Sequence, residues 1–144
     1  MMTMNARQWL FLSLALACSS IGYAAAGPQE AKGLWLTSEK DAVVKVDDCV
    51  DKPGALCGKV VWVKDMASTT SDCGVQIMQL DRFDQEAWRD GWVFDPRDHK
   101  KYKGVVRVKE GLLNVRAFVG TEILGKTEQL ERVASLPPAP VCTL

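Results

Sequence analysis

Five cysteines, one histidine and five tryptophans are the residues of this 144-residue chain best able to do chemistry, and their spacing narrows what that chemistry is. Cys18 lies in an apolar leader, which leaves Cys49, Cys57, Cys73 and Cys142. No two of them form the C-x-x-C pair that lowers a thiol pKa for redox catalysis. With His99 as the only histidine, a tetrahedral zinc site lacks its usual donors. An even set of four in a small secreted domain points to disulfides, with three pairings open. Cys49–Cys57 with Cys73–Cys142 is preferred, because the first pair flanks a short turn (Val50 to Leu56) and the second ties down a Pro-rich tail.

Enzymatic constellations are weak. His99 lies in a turn beside Lys100 and Lys101, far from the buried, carboxylate-held imidazole of a Ser-His-Asp triad. Asp47, Asp48 and Asp51 cluster without a sequence sign of the cleft that paired glycosidase carboxylates need. No glycine-rich phosphate loop is present, and no cofactor is implied. The aromatic residues Trp62, Trp88, Trp92, Phe94 and Phe118 are candidates for binding a small apolar ligand, with Trp88 and Trp92, on either side of Gly91, expected near a pocket mouth. The alternative is that these side chains simply fill a small interior. Asp95-Pro96-Arg97-Asp98 has the residues of a turn, or of a polar loop in which Arg97, Asp98, His99 and Lys100 contact a partner. Arg116 reads as an anion hook or as a solvated or cross-strand paired charge.

The elements that must position these residues are strands. From Lys101 to Lys109, Tyr102, Val106 and Val108 share one face while Lys101, Lys103, Arg107 and Lys109 share the other, the two-residue period of a half-buried strand. Asp41 to Asp48 behaves similarly. Further strands are expected at Gly33 to Ser38, Leu56 to Lys64, Cys73 to Leu80, Gly91 to Asp95, Leu112 to Val119 and Gly125 to Val133. Asp84 to Arg89 is the one helical suspect. Short connections force antiparallel neighbours, so the expected fold is all-β, an eight-stranded antiparallel up-and-down barrel with at most one short helix, which removes exposed edges. A two-sheet sandwich is the alternative.

Residues 1–26 read as a secretory signal, with Arg7, the apolar run Trp9 to Ala17 and Ala24-Ala25-Ala26 before the cut. The run is shorter than the ~20 residues a membrane span needs. The expected organisation is a barrel domain over 27–135 and a Pro-rich tail over 136–144, in a periplasmic or secreted protein. Lipidation at Cys18 is the alternative. Charges balance at 18 basic and 18 acidic residues, which removes the electrostatic footprint of a nucleic-acid binder. Partners are then a small apolar ligand or an envelope protein.

Gly33-Leu34-Trp35 resembles the G-x-W motif on the first strand of lipocalins and other calycin barrels, and Arg132 stands where calycins place a basic residue across that tryptophan. The chain from Gly33 to Val133 also resembles a bacterial secreted family of unknown function with small lipocalin-like barrels. The match runs through Cys49, Leu56-Cys57-Gly58-Lys59-Val60-Val61-Trp62, Cys73-Gly74, Asp95-Pro96, Tyr102, Val115-Arg116, Leu124-Gly125-Lys126-Thr127 and Glu131-Arg132-Val133. The chain departs from the family at Asp98-His99-Lys100 and Ala117, where a glycine is usual, and at Leu130, where a tryptophan is. The resemblance implies a barrel, with Gly33, Trp35 and Arg132 closing its base by a guanidinium–indole contact. It supplies no catalytic residue.

Overall fold

Alternating apolar residues in short runs build a ladder of nine strands in the computed structural model, which describes residues 22, 24–65, 72–138 and 142. They are β1 (Gly33–Leu36), β2 (Ala42–Asp48), β3 (Leu56–Val63), β4 (Gln76–Leu80), β5 (Arg82–Asp84), β6 (Ala87–Asp95), β7 (Lys100–Lys109), β8 (Leu112–Phe118) and β9 (Lys126–Val133). The order is β4-β3-β2-β1-β9-β8-β7-β6-β5, and pairing of β4 with β6 closes an antiparallel ring of eight. β4 and β5 are one strand broken at Asp81, since both pair with β6. The expected eight-stranded barrel is therefore the fold.

Burial explains the closure. Trp35, Val44, Val46, Leu56, Met78, Leu80, Val106 and Leu113 turn inward and are almost wholly inaccessible, while intervening Lys45, Asp47 and Lys59 face water. Removing this apolar surface from water at about 25 cal/mol per Å² is the main drive to close the ring. Gly91 is needed where β4 meets β6: a Cβ there would lie 1.8 Å from the Gln79 carbonyl oxygen. Asp90, at φ 59°, and a register shift between Trp88 and Gly91 mark a bulge that bends β6 at the same level.

The base is plugged by a 3-10 turn, Pro28–Ala31. Trp35 Nε1 donates to the Ala31 carbonyl at 2.8 Å and Trp88 Nε1 to the Pro28 carbonyl at 3.2 Å. The Arg132 guanidinium lies 4.1 Å from the Trp35 ring centroid and donates to the carbonyls of Lys32, at 2.9 Å, and Glu30. Gly33 follows from this closure, since its φ is 135° and a Cβ would stand 2.6 Å from Arg132 Nη1. Arg132 keeps its outer side in water, so it is a lid over a buried indole.

One expectation fails. Asp84 to Arg89 is no helix: Gln85 and Glu86, at φ 49° and 59°, form a two-residue turn of the type whose twist suits a hairpin, joining β5 to β6. The preferred disulfides are both present, Cys49–Cys57 and Cys73–Cys142, with Cα separations of 4.9 and 5.3 Å. After β9 the chain returns along the outer wall. There Leu136 joins Leu34, Leu36, Val43, Val61, Trp62 and Val133 in a second apolar cluster, Trp62 Nε1 donates to the Pro138 carbonyl at 3.3 Å, and the Cys142 amide donates to Val61 at 3.2 Å. Most of the expected leader, including Cys18, lies outside the described residues.

Candidate functional site

Up-and-down topology gathers the β1–β2, β3–β4, β6–β7 and β8–β9 connections at the end opposite the plug. A cavity of about 1130 Å³ opens there, comparable to the largest small-molecule sites. Its wall is apolar, with Val44, Val60, Met78, Val93, Val115 and Leu130 among its members. Its mouth is charged: Glu39, Asp41, Asp72, Asp95, Asp98 and Glu128 line it against Arg97 and Lys126.

The Asp-Pro turn between β6 and β7 positions the central cation. Asp95 Oδ1 accepts the Arg97 amide at 2.9 Å, and Asp98 Oδ1 accepts the Lys100 amide at 3.0 Å, the side-chain-to-backbone bonds that make aspartate a turn residue. The Arg97 guanidinium then grips Asp95 with two hydrogen bonds, 3.0 and 3.3 Å. It reaches Glu39 on the β1–β2 turn at 3.4 Å and Glu128 on β9 at 3.8 Å. One side chain thus links three elements across the mouth. Arg97 holds the Asp95 carboxyl below its usual range, chiefly through their hydrogen bond.

Glu128 is different. Leu130 turns into the core, so two-residue alternation turns Glu128 and Lys126 inward as well. Burial pushes the Glu128 carboxyl up, against the smaller opposing pull of Arg97 and a hydrogen bond from Ser38 Oγ at 3.4 Å. Tyr102, also inward, donates its hydroxyl to the Asp98 carboxylate, and that bond raises the phenol pKa.

The structure divides the aromatic candidates. Phe94 and Phe118 belong to the rim of the cavity, at strand positions that alternate with inward Val93 and Ala117. Trp62, Trp88 and Trp92, also candidates, do not line it: Trp62 and Trp92 turn outward, and Trp88 turns into the core at the base. Trp62 lies on the outer wall beneath the C-terminal segment. Trp88 is buried at the base, with its ring edge-to-face against Phe83 at 5.5 Å. Trp92 turns outward because neighbouring Val93 turns inward, and Lys101 Nζ sits 3.8 Å from its ring centroid. Arg116 serves the β8–β9 connection: it donates to the carbonyls of Glu122, at 2.7 Å, and Ile123, at 2.9 Å, and to Thr127 Oγ1 at 2.8 Å. The 3-10 turn Glu122–Leu124 that it fixes leaves Val119, Ile123 and Leu124 exposed at 74, 86 and 80%. His99 sits in the left-handed region, at φ 56°, with its ring 6.3 Å from that of Phe94. Among the described residues no group of three histidines, cysteines or carboxylates is placed to hold a metal ion.

Glu128 and Lys126 are hidden from a sequence reading, because a rule of apolar-in and polar-out sends strand charges to the outer face. Counting back by twos from Leu130 would have found both.

Residues 33–132 match a family model described as an uncharacterised protein conserved in bacteria, DUF2147. The chain belongs to the DUF2147 family. The DUF2147 match opens on Gly33 and closes on Arg132, the two residues that meet across the base. Protein HP1028 of Helicobacter pylori, described as belonging to the lipocalin family, is similar in structure, with a TM-score of 0.55 and 14% identity over 72% of this chain and 83% of that one. At that identity the likeness shows the fold, a lipocalin-like barrel. No functionally curated protein matches the DUF2147 chain. No helix among the described residues is long and apolar enough to cross a membrane.

Proposed function

We propose that this DUF2147 chain is a non-catalytic periplasmic or secreted barrel that takes up a small, largely apolar molecule through its open end. The observation that carries the reading is the cavity of about 1130 Å³ walled by aliphatic side chains, since apolar walls with a few polar groups at one end are the usual form of a small-molecule site. The signal-like sequence over residues 1–26 and the two disulfides suit an oxidising compartment. The lipocalin membership stated for HP1028 agrees with the reading. The test is native mass spectrometry of protein purified from its own host, with Val115→Trp as the variant that fills the cavity from its wall. A bound small molecule lost in the variant supports the reading; an unoccupied parent that also fails to take up an apolar fluorescent probe overturns it.

A second reading makes the barrel a scaffold whose loops contact an envelope protein. Arg97 is occupied by carboxylates of its own chain, so the observation favouring this reading is the exposed aliphatic lip, Val119, Ile123 and Leu124. Retention of a specific partner by the parent and its loss in Ile123→Ser/Leu124→Ser, with ligand uptake unchanged, would favour it.

A further inference from the structure

The charges at the mouth bear on which end of an amphipathic ligand faces out. Glu128 projects from β9 into the cavity opposite Val115, its cross-strand partner, two positions outward from buried Leu130. Its polar contacts are long: Ser38 Oγ at 3.4 Å and Arg97 Nη2 at 3.8 Å. Arg97 is committed more closely to Asp95, at 3.0 and 3.3 Å. The carboxylate, its side chain still 37% exposed, is only partly withdrawn from water and gains no close cation in return, and such a group favours an incoming positive charge. Glu39 and Asp41, on the facing β1–β2 turn, add charge of the same sign to the lining. Lys126, beside Glu128 on β9, is the opposing cation.

Resting on the ligand-binding reading above, we propose that the cavity selects a cationic amphiphile, an organic ammonium on an apolar body, with Glu128 as the counter-ion of its head. An ammonium carries three donors, enough to bridge Glu128 and a rim carboxylate while its body lies against Val44, Met78 and Val93. An anionic head would find Arg97 already held by Asp95, would have Lys126 alone to pair with, and would meet Glu128 directly. A neutral head gains from neither.

The experiment is calorimetric titration of the full chain with decylammonium, decanol and decanoate, each below its micelle concentration at pH 7. Decylammonium is expected to bind about tenfold more tightly than decanol, a difference of about 1.4 kcal/mol, with decanoate weakest. Glu128→Gln should abolish the advantage of decylammonium and leave decanol binding unchanged. Glu131→Gln, on the outer face of the same strand and paired with Lys40, should change neither. Melting curves confirm that both variants fold. Decanoate binding as tightly as decylammonium, or an ammonium advantage that survives Glu128→Gln, overturns the proposal while leaving the ligand-binding reading intact. Failure of all three probes to bind overturns both.

Discussion

Removing the bond between Cys73 and Cys142 tests how the barrel is held. The two residues are 69 positions apart, whereas Cys49 and Cys57 are 8 apart. In the chain-entropy model, stabilisation grows with the logarithm of the closed loop, giving about 4.4 kcal/mol for the long bridge and about 2.6 kcal/mol for the short one. Against a total of ~5–15 kcal/mol for a domain, the long bridge is a major term. Its loss also frees the segment that covers Trp62. The double variant Cys73→Ser/Cys142→Ser avoids leaving a thiol to mispair. It should lower stability by up to about 4 kcal/mol, or ~15 °C in Tm at roughly 4 °C per kcal/mol, and shift Trp62 emission to the red. Urea unfolding followed by far-UV circular dichroism and by fluorescence measures both effects. The reasoning is refuted if Cys49→Ser/Cys57→Ser costs as much or more, or if the long-bridge variant unfolds within 1 kcal/mol of the parent on this scale.

Arg132→Ala should cost about 2 kcal/mol in urea unfolding, the sum of an exposed cation–π contact and two solvent-discounted charge-assisted hydrogen bonds; Arg132→Lys, which keeps the charge and loses the fork, should recover less than half. Gly91→Ala forces a methyl against the Gln79 carbonyl and should destabilise by about 3 kcal/mol or more, while Gly111→Ala, in open space, should show only the smaller strain of its positive φ. For pH, Arg107 and Arg89 hold the Glu122 carboxyl below its usual value, as Arg97 holds Asp95. Both contributions are therefore complete above the unfolded carboxylate pKa of about 4 and are lost as pH falls through the lower folded values. A Tm–pH profile should show this acid limb, and Glu122→Gln should flatten it.

Strand existence was legible where alternation was clean. β7, with Tyr102, Val106 and Val108 on one side and Lys101, Lys103, Arg107 and Lys109 on the other, is the clearest case, and it pairs with β8 in unbroken register from Lys103 to Lys109. The Gln85-Glu86 turn was not legible, because neither residue advertises positive φ in the way Asn-Gly does. Inside and outside were harder still. The shift in β6 between Trp88 and Gly91, and another in β2–β3 between Val43 and Val44, break the parity count at the very strands that carry Trp62, Trp88 and Trp92. A bulge is a property of two backbones meeting, so it leaves little trace in either strand read alone. The charged interior of β9 was overlooked for another reason: a mouth can hold carboxylates on an inward face because water reaches them there, which a rule of apolar-in and polar-out does not allow for.

The return of the C-terminal segment along the outer wall imposes an order on oxidation. Cys49 and Cys57 emerge almost together and can join as soon as their turn is made. Cys73 must wait for its partner until 69 further residues have been delivered. In a compartment that oxidises thiols quickly, the first bond open to Cys73 would be a wrong one with Cys49 or Cys57. Early closure of the short turn removes both competitors. The small disulfide, modest in its own contribution, then acts as a guard for the large one.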